Sequence, residues 1–478
     1  MAEKITTKKF ASNVIISLAA QIISMAVSFV TALIVPRFID VYQYASWQIY
    51  VLYAGYVGVL HFGLLDGLVL RYSKYDYDEL DKERLRSQFK ILLLFTCALT
   101  TVVTIVSATV LGGDYKLIFI FVGIAIVTKN LVTYGSYMFQ ITNRINKYAV
   151  MIIAQRLAYG LIVVALLLFG VKDFYWYCAA DLCGDAVGMG IGFIFNKGLY
   201  FQKALGLKEA FKELKINVAS GIILMLANWS AALMVGSAKM ITQWRWNELV
   251  FGKVSFAFSI SNIFLSFVTA ISVVMFPSLK RADEEKLPEM YGQIRKILSF
   301  ILFFAMLFYF AGCWILNKWI PKYSVSLTYL GILLPIIIYS SKVSLLTNNY
   351  LKVYRKEKAM MVVNLVSIAI GVIAFLLSAY VFNSLNAVLI SVVIVVMLNS
   401  ILAEICVLKT IRVRIVADFI VEAFMTAGFI LCARLLNLWL GCLVYLGIFA
   451  VYCVINRKAV SAVLGRIFKR KKEEKETE

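Results

Sequence analysis

Apolar runs of about twenty residues recur from one end of the chain to the other, and they decide what it can fold into. Each can cross a hydrocarbon core of roughly 30 Å as a single helix. Fourteen such stretches are read: 11–35, 46–70, 89–111, 117–139, 148–170, 174–196, 216–238, 251–276, 296–316, 324–347, 359–382, 385–408, 417–435 and 437–455. Composition closes off the alternatives. Of 478 residues 62% are hydrophobic and 16% charged, with a mean hydropathy of +0.85. A soluble domain is about half apolar and a quarter charged. In lipid the backbone must satisfy its own hydrogen bonds, which leaves helices for runs of this length. The expected fold class is an all-α polytopic membrane protein of about fourteen transmembrane helices.

Lysine and arginine then orient it. With the N-terminus inside, the inner segments hold 36 of the 48 basic residues, the outer segments nine and the spans three. This bias makes both termini cytoplasmic, in a multi-pass protein of the bacterial cytoplasmic membrane. A formal net charge of +21 would suggest nucleic acid in a soluble protein. Here it reads as an inner basic surface against anionic membrane lipids, with no nucleic-acid partner. The first span follows MAEKITTKKF without a small-residue cleavage site, and is read as retained. The tail GRIFKRKKEEKETE is read as a solvated charge run.

The chain is also doubled. At a constant offset of 206, Lys74 falls on Lys280, Asp78 on Glu284, Glu83 on Glu289 and Lys90 on Lys296. At offset 211, Arg144 falls on Arg355, Lys147 on Lys358 and Gly160 on Gly371. Six spans separate the copies, so both face the same way: two parallel six-helix repeats plus two C-terminal helices, a transporter plan. The expected division is a first lobe at 1–200, a second at 201–410, helices 13 and 14 at 411–456, and a charged cytoplasmic tail at 457–478.

Four segments carry a resemblance: NVIISLAAQIISMAVSFVTALIVPRF (13–38), QITNRINKYA (140–149), the Phe276-Pro277-Ser278-Leu279 exit of span 8, and NNYLKVYRKEKAM (348–360). In order and spacing the chain resembles the polysaccharide flippases of the MOP exporter superfamily, which move O-antigen or capsule repeat units. It departs from them in DVYQYASWQIY (40–50), which lacks the glycine often found before the second span, whereas Gly252 keeps its counterpart. The resemblance implies two six-helix lobes about a central cavity and alternating access. It implies a polyprenyl-pyrophosphate-linked oligosaccharide as cargo, and a polysaccharide polymerase and chain-length machinery as partners. The expectation is a transporter and not an enzyme, with no cofactor beyond a coupling proton or sodium ion. Two alternatives stand beside it. A multidrug and toxin extrusion antiporter would want an acidic cavity. A membrane polymerase or glycosyltransferase would want outer-face carboxylates and a sizeable outer loop.

Ionisable side chains in spans are costly, and face a cavity or a partner. Arg37, Lys129, Arg156 and Lys342 are the candidate substrate-binding cations, since basic groups lower the barrier to a pyrophosphate. The competing reading makes them ion-pair partners of the acids. Asp181 and Asp185 share one face of a helix; with Asp66 and Glu404 they are the candidate ion-coupling acids, or the neutralising partners of Arg156 or Lys129. Gly184, Gly188 and Gly192 read as close helix packing. Pro335 should bend span 10. His61 in span 2 reads as a packed polar residue, with a proton relay as the alternative. Trp244 and Trp246 read as an interfacial belt, with sugar stacking as the alternative.

Overall fold

The computed structural model describes residues 7–280, 283–413 and 416–457. The first six residues and the charged tail beyond Arg457 lie outside the described residues. Every regular element among the described residues is helical. Among the described residues ten helices are long and apolar enough to span a membrane, or thirteen when each of three bent pairs counts once. The remaining stretch of the fourteen, 417–435, is also a helix, Val416–Leu435. Large apolar side chains such as Leu94, Leu161, Val451 and Val454 stand exposed along these helices. That is the inside-out distribution expected where lipid is the solvent.

Packing groups the chain into two compact units, Met1–Ser255 and Phe256–Glu478. The sequence repeat divides near 200. The two divisions measure different things, because the helix Leu207–Arg245 packs within the first unit although it opens the second repeat.

In the first unit α1 is Thr7–Phe29, α2 Val41–Ala54, α3 Leu64–Tyr72 and α4 Lys82–Val110. There follow α5 Gly113–Ile141, α6 Ile145–Leu168, α7 Phe174–Phe195 and α8 Leu207–Arg245. Side-chain caps start two of them: Asp40 accepts from the Tyr42 N–H and Asp81 from the Arg84 N–H. The second span is broken. Val41–His61 and Leu64–Tyr72 meet at 53°. Phe62 (φ 49°) and Gly63 (φ 81°) occupy the left-handed region between them, a conformation that stops one helix and re-aims the next. Beyond the break α3 lies on α8 backbone to backbone. A Cβ on Gly67 would stand 1.9 Å from the Asn217 carbonyl oxygen, and one on Gly221 2.1 Å from that of Gly63. Only small residues permit such an approach.

Helix α9 (Glu248–Lys280) carries the boundary between the units. The second unit continues with α10 Leu287–Met306, α11 Phe308–Trp319, α12 Ser324–Leu333 and α13 Ile336–Ser341. A π turn, Lys342–Thr347, and Asn348–Val353 complete span 10. Then come α14 Glu357–Leu376, α15 Leu385–Ile411, α16 Val416–Leu435 and α17 Leu438–Ile455. Span 10 bends by 50° at Leu334–Pro335, as its proline requires.

The connectors that opened the repeat anchor both units. Leu85 is buried beside Tyr134 and Met138, and Tyr291 beside Leu346 and Tyr350. In each unit a tyrosine hydroxyl ties the fourth helix of the repeat to the start of the third. Tyr134 donates to the Leu85 carbonyl at 3.0 Å, and Tyr350 to the Leu287 carbonyl at 3.0 Å.

Candidate functional site

Among the described residues, three groupings hold the ionisable side chains that matter most for a transport path. The first is built by α2, α5, α6 and α7. Lys129, from the middle of α5, sets its Nζ 2.8 Å from Asp181 and 3.0 Å from Asp185. The two aspartates present one face of α7, as their four-residue spacing dictates. Each is held by a second donor: the Tyr50 hydroxyl donates to Asp181 at 2.8 Å, and the Gln155 amide to Asp185 at 2.7 Å. Gly184 lets α6 approach, since a Cβ there would meet the Gln155 carbonyl oxygen at 2.9 Å. The lysine side chain keeps 25% of its surface exposed, and Asp181 21%, whereas Asp185 keeps 2%. The site is therefore open on the Lys129–Asp181 side. One cation faces two carboxylates.

Arg156 follows Gln155 on α6. It is exposed and makes no ion pair among the described residues. Arg37 lies in the short turn Val35–Phe38 and is exposed as well. Neither joins the Lys129 triad.

The second place is the break in span 2. The Gly63 N–H donates to His61 Nδ1 at 3.1 Å, which leaves Nε2 as the protonated nitrogen of a neutral ring. That Nε2 stands 3.8 Å from Asp66, too far for a hydrogen bond. Asn228 of α8 donates to Asp66 Oδ1 at 3.3 Å. Asp66 Oδ2 is buried and accepts no hydrogen bond among the described residues. A buried, half-satisfied carboxylate is costly and calls for a reason.

The third place is in the second unit. Lys342, at the start of the π turn, is wholly buried between Glu404 of α15 and Glu422 of α16, 2.7 Å from each. Arg295 of α10 completes it. Its guanidinium reaches Glu404, Glu422 at 2.9 Å and Asp418 at 3.0 Å. The Tyr291 hydroxyl donates to Glu404 at 2.9 Å. Two cations thus hold three carboxylates.

The structure brings Lys129, Asp181 and Asp185 together, and Lys342 with Glu404. It joins neither pair to Asp66, Arg37 or Arg156. Arg295, Asp418 and Glu422 are additions to the sequence reading. Arg295 falls between the sequence-read spans 251–276 and 296–316, yet it lies within α10, only 2% exposed. Glu422 sits amid an apolar stretch, and its presence there was the signal that could have found it.

No protein-family model matches the sequence, and no curated protein matches it. Solved structures share its fold. The lipid II flippase MurJ, in an inward closed conformation, superposes with a TM-score of 0.66 at 12% identity, over 93% of this chain and 99% of that one. An inward-facing multidrug resistance MATE family transporter of the MOP superfamily gives 0.62 at 12% identity, over 82% and 98%. A MOP superfamily transporter from Pyrococcus furiosus, described as having a binding pocket of reverse polarity, gives 0.55 at 12% identity, over 84% and 95%. At these identities the likeness is one of fold.

Proposed function

We propose that this chain is a flippase that carries a polyprenyl-pyrophosphate-linked oligosaccharide across the bacterial cytoplasmic membrane by alternating access, for surface polysaccharide assembly. One observation carries the reading. A lysine at mid-span, Lys129, is held in place by Asp181 and Asp185 and still keeps a quarter of its side chain exposed. Such a cation is preorganised to meet an anionic group in a low-dielectric path. Arg156 and Arg37 are the further candidate cations of the cargo path in the first unit, and Lys342 is the candidate of the second. The acids Asp181, Asp185, Asp66 and Glu404 take the coupling ion, a proton or sodium. Both termini face the cytoplasm, and the product is handed to a polymerase and chain-length machinery. The fold shared over nearly the full length of MurJ supports transport of a lipid-borne cargo.

The surplus carboxylate beside Lys129 favours a second reading, an antiporter for organic cations, which would take up that negative charge. Deletion separates the two. A flippase deletion loses surface polysaccharide and accumulates inward-facing lipid-linked units. An antiporter deletion leaves the polysaccharide intact and raises sensitivity to cationic drugs. Accumulation of outward-facing units would instead mark a polymerase and sink both.

A further inference from the structure

The helices outside the repeat take part in a cleft of their own. Where α16 and α17 meet the middle of α10, they line a shallow cleft open to the surface. Arg295, Lys296, Asp418, Glu422, Tyr452 and Asn456 are among the residues that line it. It sits at the end of the bundle that the basic-residue bias assigns to the cytoplasm, where α10 and α16 begin and α17 ends.

The deep wall is already satisfied. Arg295 spends its guanidinium on Glu404, Asp418 and Glu422, and Ser299 donates to Glu422 at 3.3 Å. The mouth is not. Lys296 is exposed and makes no ion pair among the described residues. Asp418 receives Arg295 on Oδ2 only and keeps 30% of its side chain exposed. The lining thus includes one ammonium and one carboxylate oxygen that have no other partner among the described residues, together with Tyr452, Phe303 and Val421.

We propose that this cleft binds the headgroup of a zwitterionic membrane lipid bearing a primary amine, a phosphatidylethanolamine. The phosphate pairs with Lys296, the ammonium donates to Asp418, and the first acyl carbons lie along Tyr452 and Val421. Charge selects the occupant. The two cations and two carboxylates of the lining cancel, so an anionic headgroup would leave its charge beside Asp418 uncompensated. A choline headgroup has no N–H to donate to that carboxylate. Charge-assisted hydrogen bonds at both ends discriminate more strongly than neutral ones.

The test is native mass spectrometry of the full chain, released from nanodiscs holding equal amounts of dioleoyl phosphatidylethanolamine, phosphatidylcholine and phosphatidylglycerol. The expected result is selective retention of one phosphatidylethanolamine. Lys296→Gln and Asp418→Asn should each lower that retention about tenfold. If Asp418→Asn fails to fold because Arg295 loses a partner, Lys296→Gln alone decides, since that side chain is exposed and unpaired. Preferential retention of phosphatidylglycerol, equal retention of all three, or a preference that survives Lys296→Gln would each overturn the assignment.

Discussion

In both units a lysine from the fourth helix of the repeat meets acids from the sixth: Lys129 with Asp181 and Asp185, and Lys342 with Glu404. The two lysines nevertheless live differently. Lys129 keeps 25% of its side chain exposed and Lys342 none. The difference comes from outside the repeat. Helix α16 brings Glu422 to Lys342 and, with α10, Arg295 to both glutamates. Among the described residues of the first unit no second cation joins Lys129, and the further donors to Asp181 and Asp185 are the neutral Tyr50 and Gln155. A shared plan has become an open site in one unit and a sealed charge cluster in the other. Buried clusters of this kind hold helices in register and tolerate loss of one member poorly. Half-open ones leave the cation free to meet a ligand. The assignment of Lys342 as a cargo-binding residue therefore requires Glu422 to move away, whereas Lys129 needs no such change.

The sharpest way to break this contrast is to remove the sealed cation. Lys342→Met leaves Arg295 as the one cation beside the buried Glu404 and Glu422 among the described residues. The expected loss is about 3–5 kcal/mol, seen as a collapse of folded protein after detergent extraction. Lys342→Met combined with Glu422→Gln removes one charge of each sign and should recover much of that loss. If Lys342→Met is as stable as the parent, the cluster is not sealed and the contrast falls.

Much of this could be read from the sequence, and the reason is periodicity. Apolar runs, the basic bias and the doubled connectors are local or regularly spaced signals, and the fold follows from them. Pro335 announced its bend because a missing N–H acts at its own position. Asp181 and Asp185 announced a shared helix face for the same reason. What stayed hidden depended on which helices touch. Nothing local says that Glu422 of helix 13 turns toward Lys342 rather than toward lipid, or that Arg295 belongs to a buried cluster rather than a connector. The break at Phe62–Gly63 was hidden too. It lies within an apolar run, and its left-handed residues serve the α3–α8 crossing, which only the packing of Gly67 on Asn217 reveals.

The open site should answer in the opposite sense. Lys129→Met leaves Asp181 and Asp185 with their Tyr50 and Gln155 donors, and solvent reaches Asp181. The expected cost in stability is roughly 1–2 kcal/mol, while export of lipid-linked units falls to background. An unfolded Lys129→Met would show that the first triad is structural like the second. Asp66→Asn probes the second place, the break in span 2. The amide oxygen can keep the Asn228 bond, the amide nitrogen takes the place of the oxygen that has no partner among the described residues, and a buried charge is removed, so the cost should stay within about 1 kcal/mol. Transport should lose its dependence on the ion gradient while binding of cargo persists; unchanged coupling would remove Asp66 from the ion-coupling set.

The smallest structural effect belongs to Arg156. It is exposed on α6, beside the Gln155 that holds Asp185, and takes no part in the triad. Arg156→Gln should change stability by no more than about 0.5 kcal/mol. If this arginine meets the pyrophosphate, its loss removes one charge-assisted contact, and export should fall about tenfold. Arg156→Lys keeps the charge but not the planar fork, and should fall between the two. The series separates two explanations of an exposed arginine in a membrane helix. A cation serving only the lipid interface would be indifferent to Lys and to Gln alike. A cation on the cargo path would rank Arg above Lys above Gln, at constant protein level. Finding that rank at Arg156 but not at Lys342 would place the working cations on the open side of the comparison.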